Sequence, residues 1–246
     1  MDRLLYTAMS GAKQSMDLQA IINHNLANAA TPGFRAELQA MRAVPVQGDG
    51  LPTRTMVAAT TPGSDFSHGS ISTTGRELDV AIDGDGWLAV QTSNGEAYTR
   101  RGDLQIDANG VLTNMGRPVL GDGGPILVPL GAQVSIGSDG TLSALVAGGE
   151  PNTMGPIGQL KLVNPERGSL VRGEDGLFRP KAGPGVLQAD ETVRVISGAL
   201  EGSNVSVTET MVAMIDSARR YDMQMKSIES ADENAQRANN LLSLNG

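Results

Sequence analysis

Few residues of this sequence are arranged as a catalytic or metal-binding site requires. Asp83-Gly-Asp85-Gly86 matches the first half of a calcium loop, but the twelfth position is Asn94 and not the expected glutamate. We therefore interpret this stretch as turn chemistry. The only histidines, His24 and His68, are far apart in sequence, and no serine or cysteine nucleophile motif accompanies either. Structural or surface roles are the preferred interpretation for both.

Three further features of the sequence also favour structural turns over catalytic or binding sites. Arg101-Gly-Asp103 is a sequence that some adhesion receptors bind, but it lies between two predicted strands, which favours a hairpin turn. The glycine-rich run 121–124 lacks the lysine and helix of a phosphate-binding loop. The carboxylates are scattered among turns and do not cluster as a catalytic pair would. The sequence thus predicts no enzyme, no cofactor, no metal site and no small-molecule substrate.

Composition excludes several other classes of protein. The formal net charge of −8 and the pI near 4.8 argue against a nucleic-acid partner, which would require a basic face. No run approaches the roughly 18 to 20 apolar residues that cross a bilayer. Gln14, Asp17 and Gln19 interrupt any apolar region near the N-terminus, so we expect no cleaved signal peptide. The absence of cysteine excludes disulfides and thiolate sites.

The two ends of the chain carry the strongest periodic patterns. Ser206-Val-Thr-Glu209 fits a capping box, and it opens a run in which apolar residues recur at steps of four and three. These residues are Val207, Met211, Met214, Ala218, Tyr221, Met225 and Ile228. The same step near the N-terminus comprises Leu5, Met9, Ala12 and Met16. Both patterns predict helices that bury a narrow stripe, against each other or against neighbouring copies of the chain.

The N-terminal helix, predicted from about Arg3 to Ala29, has a marked end. Thr31-Pro-Gly-Phe34 places proline where a helix cannot continue and then glycine where φ is positive, as in a type II turn. The asparagines at 23, 25 and 28 have poor helix propensity and side chains that bond to nearby backbone. They indicate either a frayed helix end or amides that bond to a neighbouring molecule.

Between the ends, the pattern changes to period two. From Leu78 onward, short alternating segments are separated by turn dipeptides such as Asn109-Gly110 and Asp139-Gly140, which predicts antiparallel strands. The predicted fold class is α+β, with long N- and C-terminal helices forming a coiled-coil-like core, together with a central antiparallel β domain. The predicted divisions are 1–36 (N-terminal helix and turn), 37–77 (extended linker), 78–197 (β domain) and 198–246 (C-terminal helix).

Several stretches together resemble the flagellar rod and hook family, the axial proteins of the bacterial flagellum. They are Asn25-Leu-Ala-Asn28, Thr31-Pro-Gly-Phe34, Leu78-Asp-Val-Ala-Ile-Asp-Gly-Asp-Gly-Trp87, Tyr98-Thr-Arg-Arg-Gly102 and Leu200-Glu-Gly-Ser-Asn-Val205. Within that family, the start Met1-Asp-Arg3 and the run Ala218-Arg-Arg-Tyr-Asp-Met-Gln-Met-Lys226 resemble the proximal-rod members. The longer, glutamine-rich opening of distal-rod members is absent.

This resemblance implies a structural subunit of the basal-body rod, located in the periplasm and exported by the flagellar type III apparatus without a cleaved signal. It implies self-assembly through terminal helices to transmit torque. The implied partners are other rod subunits, including the distal-rod protein, and the surrounding rings. The implied interface residues are Asn25, Leu26, Asn28 and Phe34 together with the two apolar stripes, and the junction with the β domain is Glu201, Gly202, Ser203 and Asn204.

Two other classes remain open at this stage. One is a secreted β-rich adhesin or binding module that uses Arg101-Gly-Asp103 as its contact. Such a protein has no use for matched helical patterns at both ends. The other is an enzyme such as a peptidoglycan hydrolase, which the lack of a catalytic cluster disfavours.

Overall fold

A computed structural model describes residues 2–45, 55–145, 154–181, 183 and 185–243. The chain folds into two compact units. The first consists of Met1–Ala27, Glu37–Gly63 and Val205–Gly246, and the second of Asn28–Ala36 and Ser64–Asn204. The first unit therefore contains both terminal segments, and the second contains most of the strands.

Two helices lie in the first unit, α1 (Asp2–Ala27) and α2 (Val207–Ser243). The backbone N–H of Glu209 donates to Ser206 Oγ at 3.4 Å, which is one half of the capping box that the sequence predicts. Over their described residues, neither helix has the length of apolar sequence that is needed to cross a membrane.

The turn after α1 has the predicted chemistry. The N–H of Phe34 donates to the carbonyl of Thr31 at 3.3 Å, and Gly33 has a φ of 66°. A side chain at Gly33 would be strained by that positive φ, and its Cβ would lie 2.4 Å from the backbone carbon of Arg100. Glycine is required at this position for both reasons.

The described residues form nineteen strands, most of them short. The first ten are β1 (Glu37–Pro45), β2 (Thr55–Ser64), β3 (Ile71–Thr73), β4 (Val80–Asp83), β5 (Trp87–Thr92), β6 (Gly95–Thr99), β7 (Leu104–Ile106), β8 (Leu112–Asn114), β9 (Arg117–Pro118) and β10 (Leu120–Gly121). The others are β11 (Gly124–Pro125), β12 (Gln133–Ile136), β13 (Thr141–Leu145), β14 (Gly155–Gln159), β15 (Leu162–Val163), β16 (Leu170–Arg172), β17 (Phe178–Pro180), β18 (Arg194–Ser197) and β19 (Ala199–Glu201).

The largest sheet has five strands in the order β15-β5-β6-β17-β16. Two sheets have three strands each, β7-β8-β9 and β12-β13-β14, and the pairs β1-β2, β10-β11, β18-β4 and β19-β3 complete the set. The pairings of known register in these sheets are antiparallel. The hairpin β5–β6 turns at Gly95, whose φ of 100° requires glycine or a similarly permissive residue.

The second unit has a large aliphatic core and a small aromatic one. The aliphatic core consists of buried valine, leucine, isoleucine and alanine side chains between Val80 and Val195. In the aromatic core, the rings of Trp87 and Phe178 have centroids 4.6 Å apart, and Phe66 lies 5.9 Å from Trp87 in an edge-on arrangement. The Phe66–Trp87 pair has the edge-on geometry that aromatic rings prefer, and the rings of Trp87 and Phe178 are tilted by 51°.

The predicted fold class is wrong in its central feature, the coiled-coil-like core. The structure is mostly antiparallel sheet, and the hydrophobic core lies among the strands. The N-terminal helix is the shorter of the two, with 26 residues. The apolar stripes of the helices do not interlock, because Met9, Met16 and Met211 are each half or more exposed. Helical periodicity showed that the segments are amphipathic but could not show which stripe is covered.

Candidate assembly surfaces and a buried charge cluster

The two helices of the first unit contact each other closely through small residues. Ser217 Oγ donates to the backbone carbonyl of Ser15 at 3.1 Å. A Cβ at Gly11 would lie 3.0 Å from the side chain of Gln224, and Ala12 is buried. The residue in contact with Ser217 is Ser15, and the residue in contact with Gln224 is Gly11. Because the residue numbers fall along α1 as they rise along α2, the two helices are antiparallel. Small residues permit this close approach because the distance between helix axes depends on the side chains at the contact.

The covered stripe of α2 overlaps the predicted one but is rotated relative to it. Six of the covered side chains follow the same alternation of four and three, namely Thr210, Met214, Ser217, Tyr221, Gln224 and Ile228. Of the predicted stripe, Met214, Ala218, Tyr221 and Ile228 are half-buried, whereas Val207, Met211 and Met225 are exposed. The hydrophobic pattern placed the methionines in the predicted stripe, but the close contact between α2 and α1 is made by Ser217.

The same rotation occurs on α1. Of its four predicted stripe residues, Leu5 is half-buried and Ala12 is buried. Met9 is 52% exposed and Met16 is 58% exposed. Ala8, Ser15 and Ile22, which the prediction did not name, are buried instead.

The exposed apolar side chains of the helices form a candidate assembly surface. We call this set the helical apolar surface; its members are Tyr6, Met9 and Met16 on α1 and Val207, Met211, Val212, Ile215, Met223 and Met225 on α2. Exposed clusters of large apolar side chains mark sites of protein–protein contact in soluble proteins. Methionine suits such sites because its flexible thioether adapts to different neighbours.

The asparagines near the end of α1 form bonds within the chain. The side-chain amide of Asn25 donates to the carbonyl of Glu37 at 2.9 Å and accepts from the N–H of Glu37 at 2.8 Å. This paired geometry mimics a strand partner and positions the start of β1. Asn28 Oδ1 accepts from Thr31 Oγ1 at 3.2 Å, and Leu26 is half-buried. Asn25 and Asn28 therefore stabilise the local turn.

In the second unit, Asn204 joins two other segments of chain. Its Oδ1 accepts from the N–H of Ala36 at 2.7 Å, and its Nδ2 donates to the carbonyl of Asp65 at 3.0 Å and that of Ser67 at 3.1 Å. Its own N–H donates to the carbonyl of Phe34 at 3.3 Å. The segments 33–36, 65–70 and 201–204 thus share one hydrogen-bond network, which we call the junction.

Close backbone packing completes the junction. The N–H of Gly202 donates to the carbonyl of Ser70 at 2.8 Å, and a Cβ at Gly69 would lie only 2.1 Å from the carbonyl oxygen of Gly202. Ser203 is half-buried. Phe34 is buried, and the guanidinium of Arg172 lies 4.3 Å from its ring centroid, within range of a cation–π interaction.

A buried carboxylate lies at the centre of the junction. Glu201 Oε1 is 2.7 Å from Arg35 Nη2, and Glu201 Oε2 is 2.7 Å from Arg100 Nη2. All three side chains are almost fully buried. Burial raises the pKa of Glu201, but the charges and hydrogen bonds of the two arginines outweigh it, so the pKa lies below its ordinary value.

Arg100, the second arginine of this cluster, has several hydrogen-bond partners besides Glu201. Arg100 Nη1 donates to the carbonyls of Gly84 and Gly86, each at 2.7 Å, and Nη2 lies 3.2 Å from His68 Nδ1. Burial lowers the pKa of Arg100, and Glu201 partly offsets this effect. The calcium-like loop is therefore a turn whose carbonyls accept from an arginine.

Sequence reasoning named Glu201 but missed its partners Arg35 and Arg100. Arg100 lies in a stretch that carries the family resemblance, and Arg35 directly follows another, yet Arg35 and Arg100 are 166 and 101 positions from Glu201. No local pattern links charges at such separations. The adhesion-like triplet is also internally satisfied, since Arg101 Nη2 donates to Asp103 Oδ2 at 2.7 Å.

Comparison with known proteins decides the family. The sequence matches the family described as "Flagellar basal body rod FlgEFG protein C-terminal" over residues 196–241 and the "Flagellar hook protein FlgE/F/G D1 domain" over residues 81–144. It is also 56% identical to the flagellar basal-body rod protein FlgF of Escherichia coli, covering 99% of this chain and 100% of the relative. The chain belongs to the flagellar rod and hook family.

Other members of this family are similar over nearly the whole length. FlgF of Salmonella typhimurium is 53% identical over 99% of this chain and 100% of the relative. FlgG of Bacillus subtilis is 34% identical over 97% of this chain and 98% of the relative. The junction residues Glu201–Asn204 lie in the rod-family match over residues 196–241.

Proposed function

We propose that this chain is a structural subunit of the flagellar basal-body rod that assembles with other rod subunits through its helical apolar surface. Full-length similarity to relatives named as basal-body rod proteins supports the rod role. The apolar side chains that the α1–α2 contact leaves exposed support the choice of surface.

The proposed assembly surface rests on one observation, which is that Met211 is exposed although it lies beside the stripe of α2 that α1 covers. Met211 is exposed, with 50% of its surface accessible, whereas Met214, three residues further along α2, is less exposed. One face of α2 is thus covered by α1, and an adjacent apolar face is left exposed. Burying a methionine side chain stabilises an interface by roughly 1.5–3 kcal/mol. Several such residues on one helix could hold a subunit in a helical array.

The finer parts of the role follow from family membership. We expect export by the flagellar type III apparatus without a cleaved signal, a periplasmic position in the basal body, and contact with the distal-rod protein. We also expect that the chain performs no catalysis and that its strands add stiffness to the rod, because packed interiors resist deformation. Contacts with the surrounding rings would involve the second unit.

Swimming assays of two matched variants test this proposal. Met211→Asp places a charge on the helical apolar surface, and Ala213→Asp places the same charge on the opposite side of α2, where the side chain is also exposed. In a host that lacks its own copy of the gene, we expect Met211→Asp to abolish swimming and Ala213→Asp to retain it. Normal swimming and intact basal bodies with Met211→Asp would contradict the proposed surface.

A further inference from the structure

Methionine is concentrated on the helical apolar surface. Five of the nine residues of that surface are methionines, at positions 9, 16, 211, 223 and 225, whereas the whole chain has 11 methionines among 246 residues. Each of the five is at least 36% exposed. Met9 and Met16 are seven residues apart on α1, and Met211 and Met225 are fourteen apart on α2, so each pair lies on one face of its helix. A reagent in solution can therefore reach these side chains as a group.

The thioether of methionine is the only oxidisable sulfur group in this chain. The sequence has no cysteine, so no thiol competes for an oxidant. A peroxide transfers one oxygen atom to the thioether sulfur: the O–O bond breaks, an S–O bond forms, the sulfur loses two electrons, and the peroxide is reduced to water or an alcohol. The product is methionine sulfoxide, whose side chain is polar where that of methionine is apolar. Because the peroxide arrives through solvent, exposed side chains react before covered ones.

A sulfoxide on the helical apolar surface opposes the burial of that surface. Its oxygen must leave water when a neighbouring subunit covers the helix, and a buried polar group without a hydrogen-bond partner is unfavourable. Each sulfoxide should therefore weaken the contact by roughly tenfold. Met211 and Met225 share a face of α2, so oxidation of both places two such groups in one contact.

We propose that the five methionines of the helical apolar surface form an oxidation site, at which a peroxide converts an assembly-competent chain into one that does not assemble. A dithiol-dependent reductase reverses the step, because it removes the oxygen as water and is itself oxidised to a disulfide. The effect on assembly rests on the proposed rod function. The reactivity of these methionines in the monomer does not.

A time course with hydrogen peroxide on the full-length monomer tests the reactivity. Peptide mass spectrometry follows the conversion of each methionine to its sulfoxide. We expect Met211 to react several times faster than Met214, which is on the same helix and less exposed. Met115 and Met154, exposed in the second unit, should react as fast as Met211, because exposure governs the rate. Equal rates at Met211 and Met214 would overturn the oxidation site.

Leucine variants test the effect on assembly, because leucine is apolar and of similar size but has no sulfur. The surface variant combines Met9→Leu, Met16→Leu, Met211→Leu, Met223→Leu and Met225→Leu. The control variant combines Met115→Leu and Met154→Leu, which removes exposed methionines outside the helices. Each gene is induced during exposure to hydrogen peroxide, at a concentration that does not slow growth, in a host that lacks its own copy and its methionine sulfoxide reductases.

The fraction of swimming cells is the measurement. The wild type and the control variant should lose swimming by roughly tenfold or more relative to untreated cells, as expected for at least one sulfoxide in the contact. The surface variant should keep it. Equal losses in the surface variant and the wild type, or no loss in the wild type, would overturn the proposal. If the surface variant does not swim without peroxide, the double variant Met211→Leu with Met225→Leu provides the same comparison.

Failure of this proposal is distinguishable from failure of the proposed function. Uniform oxidation of the monomer rejects the oxidation site whatever the role of the chain. Fast oxidation of the surface methionines without protection by leucine rejects the effect on assembly. Neither result bears on the rod role, which the Met211→Asp swimming assay tests without any oxidant.

Discussion

Glu201 and Arg35 are 166 positions apart in sequence, yet their side chains meet at 2.7 Å in the buried centre of the junction. Arg35 follows the turn after α1, and Glu201 ends β19 shortly before α2 begins. Arg100 binds the other oxygen of the same carboxylate. Within the second unit, the carboxylate of Glu201 thus connects the segment that follows α1 in the chain with the segment that precedes α2.

Neutralising this carboxylate should destabilise the second unit strongly. Glu201→Gln leaves Arg35 and Arg100 buried without a counter-charge, and breaking a buried pair in this way costs about 3–5 kcal/mol. Urea unfolding followed by the fluorescence of Trp87, the only tryptophan, measures the free energy of unfolding. Asp85→Asn is the control: it breaks an exposed ion pair with Arg167 and should cost no more than about 1 kcal/mol. Equal losses in both variants would contradict a special role for Glu201.

The same carboxylate should shape the response to acid. The pKa of Glu201 in the folded protein lies below its ordinary value of 4.5, so its contribution is present above pH 4.5 and is lost as the pH falls below that value. The free energy of unfolding of the wild type should therefore decline below pH 4.5. In Glu201→Gln this decline should be shallower, with the remainder due to carboxylates such as Asp175, whose pKa Arg179 lowers. Equal slopes in both proteins between pH 5 and pH 3 would argue against this account.

Close backbone packing in the junction leads to a separate prediction. Gly69→Ala places a Cβ about 2.1 Å from the carbonyl oxygen of Gly202, where neither backbone can move easily. Overpacking of this kind costs roughly 1–3 kcal/mol, and the clash with backbone favours the upper end. Gly123→Ala is the matched control, because a Cβ there meets no atom within 4 Å and the φ angle is not positive. Chemical denaturation should show a loss for Gly69→Ala alone.

The contact between the helices can be tested without disturbing the second unit. Ser217→Leu inserts a large side chain where Ser217 Oγ reaches the backbone of Ser15, and overpacking should cost about 1–3 kcal/mol. We expect circular dichroism at 222 nm to show earlier loss of helix, with the Trp87 transition unchanged. Ser227→Leu adds the same side chain at an exposed position and should leave the helices unaffected. Unchanged helix melting in Ser217→Leu would contradict the observed contact.

Local features of the fold were predictable where local chemistry decides them. The strand Leu104–Ile106 and the turn at Asn109-Gly110 follow from alternation and from a glycine that tolerates a φ of 82°. The end of α1 before Pro32 and the positive φ of Gly33 follow in the same way. In each case, residues within a few positions of one another determine the backbone.

Features that depend on distant residues were not predictable. Periodicity identified two amphipathic segments, but which stripe is covered depends on how closely the backbones approach, and small residues such as Ser217 decide that. The coiled-coil-like core was wrong for this reason. Arg35 was not recognised as a partner of Glu201, because a buried charge cluster that is assembled from three distant segments has no characteristic residue spacing in the sequence. Hydrophobic patterns indicate which residues avoid water and do not identify their partners.

Protection of a single thiol tests the central claim most directly. The chain has no cysteine, so Met211→Cys introduces a unique probe on the helical apolar surface, and Asn94→Cys places a control at an exposed hairpin turn of the second unit. The two variants are labelled with a maleimide as purified monomers and within isolated basal bodies. If the helical apolar surface forms the contact between subunits, Met211→Cys reacts readily in the monomer and is strongly protected in the basal body, while Asn94→Cys still reacts there. Equal reactivity of Met211→Cys in both states would show that this surface is not where the rod subunits meet.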